Sequence, residues 1–88
     1  MIENELQGYR KQIDKIDEEI IELLAKRFET VTKIGKFKKE NNLSIIDNNR
    51  FQKVLDKVKN IASKHGISVS LIQDMYNLIH KYSCELEQ

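Results

Sequence analysis

The chain has no proline, no tryptophan, one cysteine and three glycines in 88 residues. Without proline nothing forbids long helices, and Gly8, Gly35 and Gly66 are too few to punctuate more than the ends of periodic segments. Cys84 alone excludes an intrachain disulfide and suits a reducing compartment. No apolar run approaches the roughly 18 residues that span a bilayer, and the opening MIENELQGYRKQ lacks the apolar stretch of a secretory signal. A soluble, cytoplasmic protein is the expectation, with no membrane partner. Charge of one sign is also missing. Lys plus Arg number 15 against 14 Asp plus Glu, so no broad field exists to draw a nucleic acid backbone. There is no glycine-rich phosphate loop and no serine in a nucleophile-elbow context. His65 and His80 lie on different segments and do not make a metal pair. Cys84, among apolar neighbours, reads as a packing residue. Neither a metal nor a cofactor is expected.

What is present is helical periodicity. Leu6, Tyr9, Ile13, Ile16, Ile20, Leu23, Leu24, Phe28, Val31, Ile34 and Phe37 recur at steps of three and four, the mark of an amphipathic helix. The spacing predicts a first helix over about 3–41, ended by Asn41 and Asn42. A second, over about 48–64, carries Phe51, Val54, Leu55, Val58, Ile61 and Ala62, with Asp47 or Asn48 as its cap and Gly66 suited to the left-handed position past its end. A third, over about 69–87, starts at Ser68 or Ser70 and carries Ile72, Met75, Tyr76, Ile79 and Leu86. The fold class is all-α, three helices in one domain spanning 1–88.

Lengths then constrain assembly. A first helix of roughly 57 Å cannot be covered by two partners of about 25 Å in a compact monomer. An intertwined homodimer with antiparallel long helices resolves the mismatch. The basic residues agree. At about 1.5 Å and about 100° per residue, Arg27 and Lys38 are roughly 16 Å apart on nearly one face, whereas Arg10 lies roughly 25 Å from Arg27 and well around the helix. Arg27 and Lys38 can hold a small dianion between them, and Arg10 can join only from an antiparallel partner chain. A single Arg or Lys in a chain that is one-third charged usually marks a solvated face; the ordered set Arg10, Arg27, Lys38, Asp47, Arg50, Ser83 and Glu87 points instead to an anion site.

That order is what resembles a family. YRKQIDKIDEEIIELLAKRFETVTKIGKFKKENN, then IIDNNR and IHKYSCELE, are similar to the all-α chorismate mutases across nearly the whole chain. The shared features are an Arg near the start, Ile16-Asp17, the LLAKR stretch ending in Arg27, the stretch ending in Lys38, and Asp47-x-x-Arg50. The resemblance implies a dimeric enzyme that converts chorismate to prephenate in aromatic amino acid biosynthesis. By the same resemblance Arg27, Lys38 and Arg50 of one chain and Arg10 of its partner bind the substrate's two carboxylates. Lys38 also reaches the ether oxygen, Asp47 borders the ring hydroxyl, and Ser83 lies near the ring carboxylate. Association with a larger enzyme of the shikimate pathway is a further implication. The rearrangement is pericyclic, so holding the reactive conformer and stabilising charge on the ether oxygen suffice. Arginine suits the carboxylates because its planar fork binds them bidentately.

Two positions depart from the family pattern. Glu87 stands where many relatives have a Gln that donates to the ether oxygen; an ionised Glu cannot donate, so only its protonated form serves, unless the side chain is frayed near the chain end. Phe51 stands where mutases commonly place a Glu that bonds the ring hydroxyl, so it either packs in the apolar stripe or changes ring preference. Alternative functions therefore stay open. One is an isochorismate-pyruvate lyase or aminodeoxychorismate mutase of the same fold, where Phe51 is the motive and Ser83 argues for the mutase. The other is a non-catalytic helical dimerisation or regulatory module of the chorismate pathway.

Overall fold

The structure is a computed structural model describing residues 1–88, and it is all-helical: α1 (Ile2–Glu40), α2 (Asn48–Lys64) and α3 (Val69–Glu87). The chain divides into two units, Met1–Thr30 and Val31–Gln88.

The first unit is α1 up to Thr30. Glu3 and Glu5 in its first turn complement the positive end of the helix dipole. Its apolar stripe is open to solvent within the chain, with Tyr9 64%, Ile13 56% and Leu23 63% exposed. Helical propensity alone seldom holds a solitary helix in water, and an amphipathic face normally requires something packed on it.

The second unit holds the last turns of α1 together with α2 and α3, and α2 packs against α3. Its small core contains Val31, Leu55 and Ala62, with Ser83 as a buried polar residue. Both interhelical turns are built alike. Asn42 takes a left-handed φ of 56°, and the amides of Leu43 and Asn42 donate back to the carbonyls of Lys38 and Lys39 at 2.8 and 3.4 Å. At the end of α2, Gly66 takes φ 69°, while the amides of Ile67 and Gly66 donate to Ala62 and Ser63 at 2.9 and 3.2 Å. Each is a Schellman closure, which satisfies the orphan carbonyls of a helix end through one left-handed residue. Side chains cap the following starts. Asp47 accepts from the Arg50 amide at 3.0 Å, and Ser68 from the Leu71 amide at 3.2 Å. The observed bounds match those predicted to within one residue.

Candidate functional site

Lys38 is the centre of the polar arrangement. The closure at Asn42 turns the chain so that Ile45 faces back toward the end of α1. The Lys38 ammonium donates to the Ile45 carbonyl at 3.1 Å and to Glu87 Oε1, also at 3.1 Å. This second contact is the ion pair between the ends of α1 and α3, and its side chains are only 19% and 11% exposed. Glu87 is therefore ordered and half-buried rather than frayed. An ammonium has three donors; two are used, and one is left for a ligand. A second link joins the same two helix ends, where Lys39 donates from its ammonium to the main-chain oxygen of Gln88.

The remaining residues predicted for the site fall into four groups. Asp47 and Arg50 share the first turn of α2, where the Asp47 carboxylate receives the Arg50 amide and both side chains are exposed. Ser83 is buried on α3 and donates its hydroxyl to the Ile79 carbonyl at 2.7 Å. Phe51 lies face to face with His80, ring centroids 3.8 Å apart and planes 11° from parallel. Cys84, one turn further along α3, has its sulfur 3.5 Å from His80 Nε2. Arg10 and Arg27 belong to the first unit, Arg10 exposed and Arg27 half-buried.

Lys38 and Glu87 are thus brought together, Asp47 and Arg50 share a cap, and Phe51 packs on a residue that sequence reasoning did not select. The sequence offers His80 only as a metal ligand. Its place three residues before Ser83 and four before Cys84, on the half-buried face of α3, was the available signal. Gly35 was missed too: it is buried inside α1, against the backbone of Glu87.

In chemical terms, a half-buried cation with a spare donor stands beside a carboxyl that both accepts and, when protonated, donates. Such a pair suits an oxygen that gains negative charge during a reaction.

Known proteins identify the family. The chorismate mutase type II model matches residues 9–88. A bifunctional chorismate mutase/prephenate dehydratase of Buchnera aphidicola is 36% identical over 76 residues, covering 86% of this chain and 20% of the relative. The T-protein of Haemophilus influenzae is 40% identical over 70 residues, covering 80% and 19%. The chain thus spans about a fifth of the length of these relatives. A 4-amino-4-deoxychorismate mutase of Streptomyces venezuelae is 25% identical over 85 residues, covering 97% of this chain and 82% of the relative. With a match running from Tyr9 through Lys38 and Glu87 to Gln88, the chain belongs to the chorismate mutase type II family.

Proposed function

We propose that this chain rearranges chorismate to prephenate and does so as a homodimer. The observation that carries the reading is the half-buried Lys38–Glu87 pair in a chain that matches the family along residues 9–88. In the rearrangement the ether C–O bond breaks while the enolpyruvyl methylene carbon bonds to the ring. Every atom is retained and no proton moves. What lowers the barrier is capture of the folded conformer and stabilisation of charge gathering on the ether oxygen. Lys38 donates to that oxygen with its remaining N–H. In its protonated form Glu87 is a second donor to the ether oxygen. Arg27 and Arg50 hold the carboxylates, with Arg10 delivered by the partner chain, Asp47 by the ring hydroxyl and Ser83 by the ring carboxylate.

The dimer is supported by the open apolar stripe of the first unit, which a second copy running antiparallel covers. The bifunctional relatives support work beside a larger enzyme, since this chain corresponds to about a fifth of their length.

A second reading, rearrangement of 4-amino-4-deoxychorismate, is favoured by the Streptomyces relative, which is matched over most of both chains. Phe51, stacked on His80, offers an acceptor to neither a ring hydroxyl nor a ring amino group and does not decide between the two. The test offers chorismate, 4-amino-4-deoxychorismate and isochorismate to the folded protein between pH 5 and 8 and identifies the products. Prephenate from chorismate, faster than from either analogue, is expected. Preference for the amino substrate transfers the assignment to the second reading, pyruvate release from isochorismate makes Phe51 a specificity determinant of a lyase, and no turnover of any of the three refutes catalysis.

A further inference from the structure

Gly35 sits where a helix gains nothing from glycine, since an interior glycine weakens a helix relative to alanine. It is not in a turn, and its φ is not positive, unlike that of Gly66. Close approach accounts for it. A Cβ built at Gly35 lies 2.7 Å from Glu87 Cα, 2.9 Å from the Glu87 carbonyl oxygen and 3.2 Å from its carbonyl carbon. All three are backbone atoms, so no rotamer change relieves the clash. The same construction at Gly8 meets nothing within 4 Å.

The residue that Gly35 admits is the one whose carboxyl meets Lys38, one helical turn further along α1. Lys39 then holds the main-chain oxygen of Gln88. One stretch of α1, from Gly35 to Lys39, therefore seats the end of α3 at the Glu87 backbone, the Glu87 side chain and the main-chain oxygen of Gln88.

We propose that Gly35 is a positioning residue that sets the depth of Glu87 against Lys38. Insofar as it concerns catalysis, this rests on the reading that Glu87 serves the ether oxygen. Ordinary contact begins at 3.4 Å, so a methyl group at position 35 requires Glu87 Cα to retreat by about 0.7 Å or α1 to give way. A displacement near 1 Å at a reacting centre costs up to about 100-fold in rate.

The experiment introduces Gly35→Ala into the wild-type chain and into a Glu87→Ala chain and measures kcat and KM for chorismate. In the wild-type background kcat is expected to fall about 10- to 100-fold while KM changes less than about threefold, the pattern of a lost transition-state contact. In the Glu87→Ala background the added substitution is expected to change kcat less than about twofold, because the group it positions is already gone. Equal losses in both backgrounds, or no loss in the first, overturn the proposal. A readout independent of turnover is the coupling between Lys38→Met and Glu87→Gln in urea unfolding, which is expected to vanish when Gly35→Ala is added. Vanished coupling in a chain without mutase activity removes the proposed function and leaves the positioning of Glu87 intact; persistent coupling overturns the positioning. Should Gly35→Ala fail to fold, the unaltered chain still decides, since the close approach predicts an NMR cross-peak between the α-protons of Gly35 and Glu87, and its absence overturns the contact.

Discussion

Replacing Lys38 with methionine keeps an unbranched side chain of similar length and removes the ammonium. Two hydrogen bonds disappear, to the Ile45 carbonyl and to Glu87. The pair is 19% and 11% exposed, which places it between surface pairs worth about 0–1 kcal/mol and buried pairs whose disruption costs about 3–5 kcal/mol. Together with the unpaired carbonyl, a loss of about 2–3 kcal/mol in unfolding free energy is expected. Urea denaturation at a fixed protein concentration measures it, because the stability of the proposed dimer would depend on concentration. The rate effect is separable and larger. Removing one preorganised donor from an oxygen that becomes negative costs about 100- to 1000-fold in kcat, or roughly 3–4 kcal/mol of barrier. With saturating substrate and a folded variant verified by circular dichroism, kcat within tenfold of wild type refutes Lys38 as the donor to the ether oxygen.

The Glu87→Gln variant donates at every pH, whereas Glu87 donates only when protonated. Wild-type kcat is therefore expected to fall as pH rises and the variant's to stay level between pH 5 and 8; parallel profiles would remove Glu87 from the reaction. Phe51→Ala loses the stack on His80 and opens space beside α3, with an expected cost of about 1–3 kcal/mol in urea unfolding; an unchanged midpoint contradicts a packing role. Asp47→Ala and Ser68→Ala each remove one helix cap and are expected to cost about 1 kcal/mol of stability. Only Asp47→Ala is expected to raise KM for chorismate, and equal kinetics in the two variants would confine Asp47 to capping.

The helices were legible because their signals are local. Apolar steps of three and four set their extent, and the left-handed residues that close α1 and α2 are an Asn and a Gly, the two types best tolerated there. The choice between candidate caps needed coordinates. Ser68 lies three residues before the Leu71 amide that it accepts from, whereas Ser70 already stands inside α3. The candidate site is proposed from a set of charges in order along the chain, and its contacts were not legible there. Pairing of Lys38 with Glu87 spans 49 positions and depends on how the end of α3 returns to α1, which periodicity does not encode. Gly35 carried a usable signal that went unused, since a glycine inside an apolar-periodic helix with no turn beside it implies close backbone approach. His80 looked like half of an unconvincing metal pair. Its role as a platform for Phe51 follows from the packing of α2 on α3, a relation between helices rather than within one.

Mixed dimers decide whether the proposed chorismate site is built from the cations of two chains. Arg10→Ala and Arg27→Ala chains, each nearly inactive alone, are unfolded together, refolded at a 1:1 ratio and assayed for prephenate formation. If Arg10 crosses to its partner's site, half of the dimers are mixed and each mixed dimer regains one of its two sites, so activity returns to about one quarter of wild type, as two-fold symmetry requires. Mixed dimers detected by native mass spectrometry that remain as inactive as the parents would contradict the shared site.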